Sequence, residues 1–209
     1  MFIRNESFRE YRTYYPVVFT LLVVTIAIHI IANAPIIGVS IYSFGVGQNG
    51  LVAEGEYWRL ITPIFLHGGF MHLLFNMFSL FLFGPELERL AGRARFLTIY
   101  FLSGLTGTVA SFLFEDAMYT HLGASGAIYG IFGAFAALVY YTRNVLPQLK
   151  QIILPIIGIG IIMTFVTPNI NITAHLGGLV MGFLLGFYYF HPNRLSKWKK
   201  TKPRTALRS

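Results

Sequence analysis

Ser125 stands among glycines in Gly123-Ala124-Ser125-Gly126, His175 sits in Ala174-His175-Leu176-Gly177-Gly178, and His72 precedes Asn76 by four residues in an otherwise apolar stretch. A hydroxyl brought against an imidazole makes a nucleophile and its general base. Glycines beside the serine let a substrate backbone come close, while the free amides and positive end of a helix starting there attract an oxyanion. Each residue also has a plainer reading. A serine at a helix start is often only an N-cap, and a single intramembrane histidine is often structural. His72 and Asn76, one turn apart on one face, can act as hydrogen-bonding glue between helices. The absence of cysteine removes thiol nucleophiles and cysteine-held metals, and a single aspartate, Asp116, cannot make an aspartyl dyad. His67 and His72 are five apart with no glutamate between them, which excludes the His-Glu-x-x-His metal motif. No cofactor or metal is called for.

The elements that position these residues are membrane helices. The 209 residues are 55% hydrophobic and 11% charged, with a mean hydropathy of +0.63, against about 25% charged residues in a soluble domain. A crossing helix needs about 20 apolar residues. Charge-free runs occupy Pro16 to Ala34, Leu60 to Pro85, Phe96 to Phe114 and Ala117 to Thr142. The run from Gln151 to Asn193 is broken by the turn-forming Thr167 to Thr173, leaving Ile152 to Val166, rather short, and Ala174 to Phe190. Six spans follow, with an all-α polytopic fold. Arg12, the first apolar run and Ala32-Asn33-Ala34 mimic a signal peptide, but the length of the run and Pro35 favour a retained helix. Pro35 to Ala53, studded with Gly38, Gly45, Gly47 and Gly50, reads as an interfacial loop, since glycine is poor helix material.

Orientation follows from the basic residues. With six crossings both termini share a side, and that side carries fifteen of the sixteen Lys and Arg, leaving Arg59 opposite. Both termini are therefore expected in the cytoplasm. The partition is a cytoplasmic segment 1–15, a membrane domain 16–190 and a basic tail 191–209. The net charge of +8 belongs to topology and to contact with the lipid bilayer rather than to nucleic acid. No Asp, Glu, Lys or Arg falls at a bilayer centre, so intramembrane chemistry rests on His, Asn, Ser, Thr and Tyr. Gly178, Gly182 and Gly186 recur at every fourth position after His175, and Gly126, Gly130 and Ala134 do the same after Ser125. Such stripes permit close backbone approach, so these two helices are expected to pack and bring Ser125 and His175 to one depth, with His72 and Asn76 within reach.

Together these residues resemble the rhomboid family of intramembrane serine proteases over Pro16 to Phe190. Trp58-Arg59, His72 with Asn76, Gly123 to Gly126, and His175 with its glycines are similar to the family's motifs, and Glu88-Arg89 with Gly92 resembles a structural one. The match is to the basic six-helix bacterial form. The resemblance implies a rhomboid-like helical bundle and a serine endopeptidase of dyad type in a bacterial cell membrane. Ser125 is then the nucleophile and His175 the base. His72, Asn76 and the Ser125 amide form the oxyanion site, Tyr129 packs on His175, and Gly123 and Gly126 support the turn. It further implies transmembrane protein substrates that enter laterally near the second and fifth helices, the latter being short, with the 167–173 loop over a water-filled cavity. Two other functions compete: a catalytically inactive rhomboid-like binding or quality-control protein, and a small transporter using polar residues among glycine-rich helices. Ser125 and His175 weigh against the first, and the absence of an inward ionisable relay weighs against the second.

Overall fold

The computed structural model describes residues 2, 4–144, 147–168 and 170–194. The basic tail from 195 onward and Asn169 lie outside the described residues. A seven-residue helix, α1 (Phe8–Tyr14), opens on a capping box in which Ser7 and Glu10 satisfy each other's backbone amides. At Pro16 the chain turns by 110° into α2 (Pro16–Ala32). Proline suits a first helical position, where its missing N–H is not needed. The next two free amides, Val17 and Val18, donate to the carboxylate of Glu88 at 3.2 and 2.9 Å. A buried acid from a distant helix thus caps α2.

The 35–53 segment departs from the expected loop. It contains α3 (Ile37–Gly45) and a single turn, α4 (Asn49–Ala53), despite four glycines. Tertiary contacts override propensity here. The last carbonyls of α3, orphaned as at any helix end, are each claimed. Arg59 donates to Ser43 at 2.8 Å and to Val46 at 2.7 Å, the Trp58 indole to Phe44 at 3.1 Å, and the Thr62 hydroxyl to Gly45 at 2.8 Å. Arg59 is buried and paired with Glu56. Trp58-Arg59 is therefore the terminator of α3.

The second expected span also shifts. Leu60 to Gly69 contributes two single-turn 3-10 helices, Tyr57–Leu60 and Thr62–Phe65, and a Gly68-Gly69 break in which Gly69 has φ +155°. The long helix α5 starts only at Phe70 and runs through Pro85 to Ala91. Gly92, at φ +85°, then separates it from α6 (Arg93–Phe114). A two-residue antiparallel pair, β1 (Gly47–Gln48) with β2 (Thr120–His121), joins the first loop to the segment before α7 (Ser125–Thr142). The fifth span is longer than expected: α8 (Pro147–Val166) has 20 residues. The last helix, α9 (Ile172–Tyr189), begins on an Asn171 cap whose oxygen accepts the Ala174 amide.

Five of these helices have the length and composition to cross a membrane. The uncharged 17-residue α2 is a sixth, at the lower end of the spanning range of about 17–25 residues. The protein is a multi-pass membrane bundle. At its centre stands α7, 72% of whose span is buried, while α8, at 17%, lies on the periphery. The two glycine stripes meet in register. A Cβ added at Gly178, Gly182 or Gly186 would strike the backbone of Gly126, Gly130 or Ala134 respectively. Without a hydrophobic drive between helices in lipid, this close backbone packing holds them together.

Candidate active site

Ser125 is the first residue of α7, one position after the N-cap residue Ala124, and is partly exposed. The turn before it is held from two sides. The Gly123 amide donates to the Pro63 carbonyl at 2.8 Å, and the Ala124 amide donates to Nε2 of His67 at 3.5 Å. Gly123 has φ +125°, a conformation that disfavours side chains. A Cβ there would stand 2.8 Å from the His72 imidazole and 3.8 Å from Ser125 Oγ. Gly123, His72 and Ser125 are therefore immediate neighbours.

His67 does not lie on the second long helix, where the uncharged run suggested it. It occupies the loop before α5 because Gly68-Gly69 delays that helix. Its ring is fully buried, edge-on to His72 at 5.1 Å between centroids, and its carbonyl accepts the Tyr42 hydroxyl at 2.7 Å. His72 and Asn76 do share a face of α5. One amide hydrogen of Asn76 is engaged with the His72 carbonyl at 2.8 Å, which leaves the other free.

His175 lies in the first turn of α9, 6% exposed. Its surroundings fix the helix end. Asn171 and Ser111 exchange hydrogen bonds at 2.7 and 3.0 Å, and Thr173 donates to Glu115 at 2.9 Å, tying the start of α9 to the end of α6. The Tyr129 ring stacks on His175, with centroids 4.1 Å apart and planes at 18°. Tyr129 is four residues after Ser125 on α7 and so shares its face. Gly126, between them in sequence, lets α9 approach until a Cβ there would meet the Ala174 carbonyl at 3.3 Å. Among the described residues no hydrogen bond joins Ser125 to His175, and no carboxylate bonds the imidazole.

The partner of the imidazole is one that sequence reasoning missed. Thr164 Oγ1, on α8, lies 2.9 Å from His175 Nδ1 and 2.6 Å from the Tyr129 hydroxyl. Its signal was present: Thr164 is the lone polar side chain between Ile152 and Val166. No three His, Asp or Glu among the described residues gather in a way that could hold one metal ion.

The Rhomboid domain family matches residues 54–192, two-thirds of the chain. The chain belongs to the rhomboid family. Among its relatives, a Bacillus subtilis protein named "Putative rhomboid protease YdcA" is 44% identical over 189 residues, covering 90% of this chain and 95% of that one. "Rhomboid protease GluP" of the same species is 43% identical over 145 residues, and "RHOMBOID-like protein 5" of Arabidopsis thaliana 40% over 148. The chain spans 28% and 47% of these two longer relatives. The matched rhomboid region holds every residue singled out above except Tyr42, from the Trp58-Arg59 loop to His175. It leaves α1 to α4 outside.

Proposed function

We propose that the chain is an intramembrane serine endopeptidase that hydrolyses peptide bonds in or near membrane-spanning segments of other proteins, with Ser125 as nucleophile and His175 as general base. One observation carries the reading: Tyr129 stacks on His175 from the face of α7 that also bears Ser125, one turn away. Membership of a family whose named relatives are proteases supports the reaction class. In the reaction Ser125 Oγ bonds to the scissile carbonyl carbon while its proton passes to His175 Nε2. The carbonyl oxygen then carries the negative charge. The Ser125 amide, unpaired among the described residues at the start of α7, and the side chains of His72 and Asn76 donate to it. The C–N bond breaks, the imidazolium protonates the leaving amine, and water releases the acyl group from Ser125 by the same steps in reverse order. Gly123 and Gly126 leave the serine approachable and the two helices close.

The active-site end then faces outward, with residues 1–15 and the 191–209 tail in the cytoplasm on either side of the 16–190 membrane domain. The basic residues on that side favour this orientation, and the membrane is taken to be the plasma membrane of a bacterial cell. The test is incubation of the purified protein in detergent with a panel of transmembrane segments, comparing wild type with Ser125→Ala and His175→Ala. Each substitution should abolish cleavage, and the double variant should be no worse than either, because the two residues act as a unit. Undiminished cleavage by Ser125→Ala removes the enzymatic reading.

A further inference from the structure

We propose that Thr164 is a positioning residue that holds His175 in the tautomer protonated on Nδ1, leaving the lone pair of a general base on Nε2; the inference rests on the protease reading above. Three oxygens form a tight triangle beside the imidazole. The Tyr129 hydroxyl lies 2.6 Å from the Gly160 carbonyl and 2.6 Å from Thr164 Oγ1, and Thr164 Oγ1 lies 2.9 Å from the Gly160 carbonyl. The triangle is sealed: Thr164 is 1% exposed, and Gly160 lacks the Cβ that would stand 3.3 Å from the Tyr129 hydroxyl.

Proton counting decides the tautomer. The two hydroxyls bring one hydrogen each, and the carbonyl brings none. If His175 carries its proton on Nδ1 and donates to Thr164, both hydroxyl hydrogens stay inside the triangle and cover two of its three short oxygen contacts. If Thr164 instead donates to Nδ1, one hydrogen remains for three contacts, and two pairs of oxygens face each other bare. Buried polar groups left without a proton between them are costly. The arrangement therefore favours Nδ1–H, with Thr164 accepting. When His175 takes the Ser125 proton, the same Nδ1–H remains bonded to Thr164, so the ring keeps its orientation through the step. In this family member a neutral hydroxyl on α8 does the orienting that a carboxylate does in a soluble triad.

The experiment uses the full chain in detergent. Thr164→Val keeps the shape and removes the hydroxyl, and Thr164→Ser restores it. Thr164→Val should lower kcat by about 10- to 100-fold, part of what a positioned general base supplies, with KM within about twofold because uniform binding is untouched. Thr164→Ser should recover most of the loss. A bystander threonine would not split kcat from KM in this way. In parallel, 15N spectra of histidine-labelled wild type, with the His175 signal assigned by its loss in His175→Asn, should show protonation on Nδ1. Protonation on Nε2 overturns the proposal, and so does wild-type kcat in Thr164→Val. The wild-type spectra do not depend on Thr164→Val, so a poorly folding Thr164→Val leaves them decisive. Ser125→Ala on the same preparation separates the failures. Cleavage by Ser125→Ala would strike the protease reading itself, whereas a silent Ser125→Ala beside a fully active Thr164→Val would strike Thr164 alone.

Discussion

Adding one methyl group at Gly182 should disable the protein, while the same change at Gly158 should not. In Gly182→Ala the new Cβ lands on the carbonyl and Cα of Gly130. Carbon–oxygen contacts normally lie at about 3.3–3.6 Å, so α7 and α9 must separate by on the order of 1 Å. Overpacking of this kind typically costs about 1–3 kcal/mol, against a gain of about 0.8–1 kcal/mol for replacing glycine in a helix. The net is a modest loss of stability. On the protease reading the geometric consequence is larger, because α7 carries Ser125 and α9 carries His175, and a 1 Å misplacement of reacting groups costs about 10²-fold in rate. At Gly158, on α8, a Cβ would meet nothing within 4 Å, so only the helix-propensity gain remains. Thermal unfolding and turnover of a transmembrane substrate, measured on the same detergent preparations, give both numbers. We expect Gly182→Ala to lose about two orders of magnitude in turnover and to melt lower, with Gly158→Ala at or above wild type in both. Full activity in Gly182→Ala would mean that the stripe does not set the distance between Ser125 and His175. The stability arm holds even if the substrate panel is silent.

Two further outcomes are expected. His121, buried in the β1–β2 pair against Gly47, has its pKa pushed down to about 4 by desolvation. The unfolded chain binds the proton first, so stability should fall as pH drops from about 6.5 toward 4. His121→Phe should flatten that part of a pH-melting profile, and an unchanged profile would refute the assignment. For orientation, the cysteine-free chain allows single engineered thiols at exposed Met118 and Asn144. An impermeant reagent should label Met118→Cys in intact cells and spare Asn144→Cys, and the reverse result would invert the topology.

Counting charge-free residues locates the helices, because lipid demands uncharged length, yet it cannot see where an uncharged run stops being helical. Leu60 to Gly69 is as apolar as the helix after it, and only the Gly68-Gly69 pair and the Pro63 turn betray the difference. The α7–α9 register was legible because glycine every fourth residue has one common meaning among membrane helices. The helix within 35–53 was not, since α3 owes its end to Arg59, Trp58 and Thr62, which lie 13 to 17 residues further on. Thr164 was only half legible: as the lone polar side chain of an apolar run it stands out in the sequence, but its partners Tyr129 and His175 lie on other helices and no local pattern points to them.

The polar side chains of this apolar chain fall into two groups, and the division separates structure from chemistry. In hydrocarbon an unsatisfied backbone group costs several kcal/mol, so most polar residues are committed to backbone ends. Glu88 takes the first amides of α2, Arg59 and Thr62 the last carbonyls of α3, and Asn49 the carbonyls of Ser111 and Asp116 at the end of α6. Removing any of them exposes a helix terminus. Ser125 and His72 are different: among the described residues neither side chain has a hydrogen-bond partner. Lack of a partner alone does not mark a site, since the Tyr100 and Ser103 hydroxyls are also unpaired, but those are fully buried within the bundle. Ser125 and His72 are partly exposed and side by side at Gly123, and one turn along α7 from Ser125 the Tyr129 ring stacks on His175, whose imidazole is hydrogen-bonded through Nδ1 alone among the described residues. Polar groups at a helix start with their bonding capacity unspent are what the attack on a carbonyl proposed for Ser125 would use.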